Sequence, residues 1–241
     1  MQPELKPVPL NEQPYGGPRY APGSTLPDVS AQKVLRNTYL LLALTMVPTV
    51  IGAYIGVATA GVIVGSPILS TVIMLAAVIG LQFGIAANRN SGIGAALLLL
   101  MTGLLGWWLG PILNVALSLK NGMALVGYAA IGTGVIFLGM GAIASTAKRD
   151  FGFLGKFLYV GMWGLLLAIV ANLFLHIPAL ALTISTLVIV VFSLFLLYDL
   201  QRIIRGGETN YIMAATGVYM SLFNIFANLL YLLMALSGNR D

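Results

Sequence analysis

The chain has 241 residues, 59% of them hydrophobic and only 8% charged, with a formal net charge of +5. Soluble domains carry about 25% charged residues, so a soluble globular domain is excluded. With no cysteine and a single histidine, His176, disulfides, thiolate chemistry and multi-histidine metal or haem sites are excluded too.

Residues 1–30 hold seven of the eleven prolines (Pro3, Pro7, Pro9, Pro14, Pro18, Pro22 and Pro27) and little apolar content. They read as a disordered, Pro-rich tail and not as a signal peptide, because no hydrophobic run or cleavage-like site is present. Ser30 or Asp28 is expected to cap a short helix, SAQKVLRN, that leads into the apolar part. From residue 31 to 241 the chain reads as one transmembrane domain.

Seven apolar runs follow, at about 38–60, 67–87, 92–117, 123–147, 152–175, 178–204 and 210–236. Each is unbroken over about 20 residues, the length that crosses a hydrocarbon core of roughly 30 Å. Barrel strands would alternate apolar and polar residues instead. The fold class is therefore an all-α integral membrane protein whose partner is the lipid bilayer. Pro48 in the first run and Gly110-Pro111 in the third predict kinks. The pairs Gly52/Gly56, Gly80/Gly84 and Gly106/Gly110 predict close helix packing, read as contacts within the bundle ahead of a homodimer face.

The connections carry the charge. Lys6, Arg19, Lys33, Arg36, Arg89, Lys148, Arg149, Lys156, Arg202 and Arg205 fall on one side of the membrane, and only Lys120 and Arg240 on the other. The positive-inside rule then places the N-terminus in the cytoplasm and, with seven spans, the C-terminus outside.

The last run holds Gly217, Ser221, Asn224, Asn228 and Tyr231 at spacings of 4, 3, 4 and 3, all on one helical face. That face is expected to turn toward the bundle interior, either as interhelical glue or as a hydrated path. Asn172 and Asn114 are further candidates for the interior. The segment LLYDLQRIIRGGETNYI (196–212) puts Asp199 near the end of the sixth run, ahead of a Gly206-Gly207 stop and a loop carrying Arg202, Arg205 and Glu208. Asp199 has three candidate partners: Arg202 one turn on, Arg89 from another loop, or Ser221. Burial and a neighbouring cation act in opposite directions on such a group, so its protonation is left open. A structural ion pair and an ion-pathway gate both fit.

Enzyme signatures are missing. There is no Ser–His–Asp set, Walker loop, HExxH or Gly-rich nucleotide turn. No lysine lies within the seventh run to hold a retinal Schiff base. A catalytic function, a cofactor, a bound metal and a nucleic-acid partner are not expected.

YDLQRIIRGGETNYI (198–212) together with VYMSLFNIFANLL (218–230) resembles the Bax inhibitor family of membrane proteins, and within it the bacterial YccA-type branch. QKVLRNTY (32–39), LGPILN (109–114) and KRDFGFLG (148–155) agree, so the resemblance covers about residues 31–238. It implies a multi-pass bacterial inner-membrane protein with six helices around a central one. It also implies two functions. One is association with the membrane protease FtsH, as a modulator and also as its substrate, for which the tail at 1–30 is a suitable handle. The other is a pH-sensitive leak with Ca²⁺ as the permeant ion, gated by an aspartate pair. Asp199 matches the first aspartate of that pair, but Ser221 stands at the second position. A carboxylate facing a hydroxyl lacks the coupled titration of two carboxylates, and this favours the FtsH-modulator reading over the leak.

Overall fold

The computed structural model describes residues 29–238. Among them the chain forms nine α-helical segments and no strand: α1 (Val29–Ala58), α2 (Ala60–Val64), α3 (Pro67–Ala87), α4 (Gly92–Trp108), α5 (Gly110–Ser118), α6 (Gly122–Thr146), α7 (Leu154–Leu175), α8 (Pro178–Ile204) and α9 (Tyr211–Ser237). Seven helices are long and apolar enough to cross a membrane, with α4 and α5 together making the third. The remaining segment, α2, is a short connector at the end of the first span. Large apolar side chains such as Tyr54, Phe83 and Phe157 face outward, as a lipid solvent allows.

Two boundaries differ in detail from the sequence reading. Residues 30–37 do not form a separate short helix; they continue into α1 without interruption. No turn chemistry separates them from the apolar run, so the helix simply extends past it. Asp28 and the rest of residues 1–28 lie outside the described residues, and Ser30 lies within α1, not at its start as a cap. Pro48 sits inside the unbroken α1, whereas Leu109 ends α4 and Pro111 stands in the first turn of α5. Proline is tolerated in a first turn, where its missing N–H has no partner to lose.

The tightest seam joins α1 to α4 and α5. Gly52 and Gly56 meet the backbone of Gly103, Trp107 and Gly110, while Gly106 meets the Thr49 carbonyl. A Cβ at Gly52, Gly56, Gly106 or Gly110 would overlap main-chain atoms of the facing helix. Among apolar helices in lipid, association depends on such close packing and on interhelical hydrogen bonds. The Gly80/Gly84 pair differs: Gly84 faces a Leu97 side chain and Gly80 faces open space. Trp107 fastens the end of the seam by donating from Nε1 to Thr59 Oγ1 at 2.8 Å.

Helix α9 touches α1, α3, α4, α5, α6 and α8, and no residue from Ile212 to Leu230 is exposed. Its Tyr219 is 2% exposed and lies in a polar cluster with α1 and α4. The Thr49 hydroxyl donates to the Thr45 carbonyl at 2.7 Å, so its oxygen is left to accept from Tyr219 at 2.8 Å; the Thr102 carbonyl is 3.3 Å from the same tyrosine hydroxyl. Helix α7 is attached differently, packing chiefly against α8.

Two substitution results are expected. Gly106→Val should destabilise the protein by at least about 2 kcal/mol through overpacking, whereas Gly80→Ala should be neutral or slightly stabilising. Thermal unfolding followed by size exclusion in detergent separates them, and equal melting of both variants would refute the seam. Tyr219→Phe should lose about 1 kcal/mol, and this loss should shrink in a Thr49→Val background, where only the Thr102 carbonyl is left to accept from the tyrosine hydroxyl.

Candidate functional site

The last turns of α8 are shaped by their apolar neighbours. Leu196, Leu200 and Ile203 are almost fully buried, which fixes the rotation of the helix. That rotation turns Asp199 toward α9, where its carboxylate lies against Gly217: a Cβ there would sit 2.8 Å from Asp199 Oδ2. The absence of a side chain on α9 leaves room for the acid.

Asp199 forms no ion pair or hydrogen bond among the described residues. Arg202, expected as a partner, pairs instead with Glu208, Nη2 to Oε2 at 3.2 Å, and donates from Nε to the Gly207 carbonyl at 3.3 Å. The reason lies in the turn. Gly206 takes φ 73°, and the amides of Gly207 and Glu208 both donate to the Arg202 carbonyl, at 2.8 and 3.1 Å. This folds Glu208 back over Arg202. Arg89 belongs to the connection between α3 and α4 and makes no ion pair with Asp199; its carbonyl accepts from Asn210 Nδ2 at 2.8 Å.

Ser221, 2% exposed, stands one turn beyond Gly217 and lines the same cleft as Asp199. This cleft, of about 460 Å³, opens between α3, α7, α8 and α9. Its walls include Phe192, Phe195, Met213 and Met220, with Arg202 and Glu208 at the rim. With Arg202 and Glu208 offsetting each other, Asp199 is the uncompensated group. An unpaired carboxylate beside apolar walls is an energetically expensive arrangement, which makes Asp199 the candidate functional group of this cleft.

The asparagines are placed elsewhere. Asn224 and Asn228 donate within α9 to the carbonyls of Met220 and Asn224, each at 2.8 Å. Asn172 accepts from the Ile177 amide at 3.1 Å, closing the turn after α7 in which His176 adopts φ 52°. Asn114 donates to the Val57 carbonyl at 3.2 Å and links α5 to α1. Of the regularly spaced polar face, only Gly217 and Ser221 reach the cleft.

Two residues that sequence reasoning passed over organise the surroundings. Gln201, 2% exposed, accepts from the Phe151 amide at 2.7 Å and donates to the Arg149 carbonyl at 2.8 Å. Arg205 adds donation from Nη2 to the carbonyls of Ala147, Lys148 and Arg149, at 3.2, 3.1 and 2.8 Å, with Asp150 Oδ1 3.8 Å from its Nη1. Asn210 caps α9, accepting from Ile212 N at 3.0 Å and Met213 N at 3.1 Å, while its Nδ2 also reaches Asn90 Oδ1 at 2.8 Å. An asparagine just before an apolar run is a helix-start signal, so that role was readable in principle. Gln201 carried no comparable signal. The segment 199–210 thus ties together the connections 88–91 and 147–153.

Comparison with known proteins agrees with this architecture. The family model described as "Inhibitor of apoptosis-promoting Bax1" matches residues 31–239. A protein of Escherichia coli K12 named "Modulator of FtsH protease YccA" is 40% identical over 205 residues, covering 85% of this chain and 91% of its own. Its counterpart in Escherichia coli O6:H1, named "Inner membrane protein YccA", matches to the same extent. A Vibrio cholerae protein named as an uncharacterized membrane protein is 38% identical over 211 residues, covering 88% of this chain and 93% of its own. A match that runs through every membrane span, from the first turns of α1 to the end of α9, makes this chain a member of the Bax inhibitor family.

Proposed function

We propose that this protein is an inner-membrane modulator of membrane-protein quality control that acts by associating with an FtsH-type protease. The observation that carries the proposal is the 40% identity, over nearly the whole length of both chains, to the relative named as a modulator of that protease. The membrane of residence is taken from the same group of relatives, one of which is named an inner membrane protein.

The orientation follows from charge. With ten basic residues at one end and two at the other, the positive-inside rule puts the N-terminus and the connections 88–91, 147–153 and 205–210 in the cytoplasm, with the C-terminus in the periplasm. Helix α9 is then the central helix of the bundle, in keeping with its cover on all sides between Ile212 and Leu230. The hydrogen bonds from Gln201, Arg205 and Asn210 make the cytoplasmic connections one continuous surface against which a protease could dock. The tail at 1–30 adds a handle on the same side.

A calcium leak gated at Asp199 has less support. Ser221 contributes no charge, and Asn224 and Asn228 do not line the cleft. A Ca²⁺ path offers several oxygen ligands in succession, and of the two carboxylates lining the cleft Glu208 is paired with Arg202, leaving Asp199.

Co-purification in mild detergent tests the proposal: the protease should be recovered with the full-length protein and not with an unrelated seven-helix membrane protein. Its absence under conditions that retain other membrane complexes would sink the reading. Removal of residues 1–30 should lengthen the half-life of the protein in cells that contain the protease and leave it unchanged in cells that lack it. An unaltered half-life in both would remove the tail from the mechanism.

A further inference from the structure

We propose that the cleft between α3, α7, α8 and α9 binds an amphipathic amine, with the ammonium group against Asp199 and the apolar body along the phenylalanine and methionine wall. Such binding does not require association with a protease. The formal charges lining the cleft leave one negative charge over: Arg202 is paired with Glu208 at 3.2 Å, and Asp199 forms no salt bridge among the described residues. Gly217 keeps the space beside the carboxylate free of a side chain. A ligand that brings one positive charge completes the site.

The walls define the rest of the ligand. Tyr159, Phe192 and Phe195 form an aromatic cluster, with centroid separations of 6.4 Å for Tyr159–Phe195 and 5.8 Å for Phe192–Phe195. Aromatic faces attract ammonium groups and also bury alkyl chains. Met213 and Met220 supply an adaptable surface opposite them. A volume of about 460 Å³ is in the usual range for a small-molecule site. A divalent metal ion fits poorly, because it would need several oxygen ligands, and no group of three or more acidic, histidine or cysteine ligands occurs among the described residues.

Helix α7 packs chiefly on α8 and leaves α3, so Gln82 of α3 and Tyr159 of α7 stand on two sides of an opening. Tyr159 is 62% exposed and faces the lipid. An opening beside Tyr159 gives a molecule dissolved in the bilayer a route to Asp199. Two sources share the required chemistry: the ethanolamine headgroup of a bilayer phospholipid, and a free amphipathic amine.

The test uses the full-length protein in phosphatidylglycerol nanodiscs, with radiolabelled dodecylamine as the probe, dodecanol as the uncharged control and empty nanodiscs subtracted. Saturable binding of dodecylamine, at least about tenfold tighter than dodecanol, is expected. It should be lost in Asp199→Asn and in Met220→Trp, which fills the cleft and leaves the acid in place. Should Asp199→Asn not fold, Met220→Trp decides alone. Equal binding of amine and alcohol, or unchanged amine binding in the folded variants, overturns the proposal. Adding phosphatidylethanolamine to the nanodiscs then assigns the source: weaker dodecylamine binding identifies the lipid headgroup as the occupant, and unchanged binding identifies a free amine.

Discussion

The bundle depends on the backbone contact between α1 and the α4–α5 pair. Inside a bilayer, lipid tails compete with apolar side chains on equal terms, so burying leucine against leucine gives little net drive for association. Helices are held by surfaces that come closer than side chains normally allow. Gly52, Gly56, Gly106 and Gly110 provide such a surface. The break at Leu109 belongs to the same arrangement, since Gly110 meets Gly56 just where α4 gives way to α5. Tyr219 then fixes α9 to this pair through Thr49 and Thr102, so the seam also positions the most covered helix.

The opposite side of the bundle is looser, and the cleft lies there. Helix α7 leans chiefly on α8; its Gly155 meets only the Tyr198 side chain of α8, and a Cβ added at Gly161 or Gly164 would meet open space. What organises this side is the polar end of α8. Within about two turns, Asp199 faces the cleft, Gln201 and Arg205 hold the α6–α7 connection, and Arg202 holds Glu208. Helical periodicity separates these tasks by rotating each successive residue by about 100°. The carboxylate is left without a counter-ion because both neighbouring arginines are already engaged.

Much of this was legible from residue order. Seven unbroken apolar runs of spanning length leave only one way to satisfy the backbone in lipid, so helix number and approximate limits followed directly. Gly206-Gly207 marked the end of α8 for an equally local reason, since a positive φ suits glycine. The face at 4, 3, 4, 3 spacing was a sound reading of rotation but a poor guide to occupancy. A helix carbonyl has a second lone pair that an asparagine one turn on can reach, so Asn224 and Asn228 donate within α9 without entering any cavity.

The sequence by itself determined the membrane class, the seven spans, the distribution of basic loops and the family, because each of these rests on composition, run length or residue identity along the chain. Only the tertiary structure decided which groups meet. It paired Arg202 with Glu208, set Asp199 against Gly217, made Gln201 and Asn210 the links between loops, and left α7 apart from α3. Such pairings depend on distances between residues far apart in the chain and on rotamers chosen by packing, and neither is encoded in local spacing.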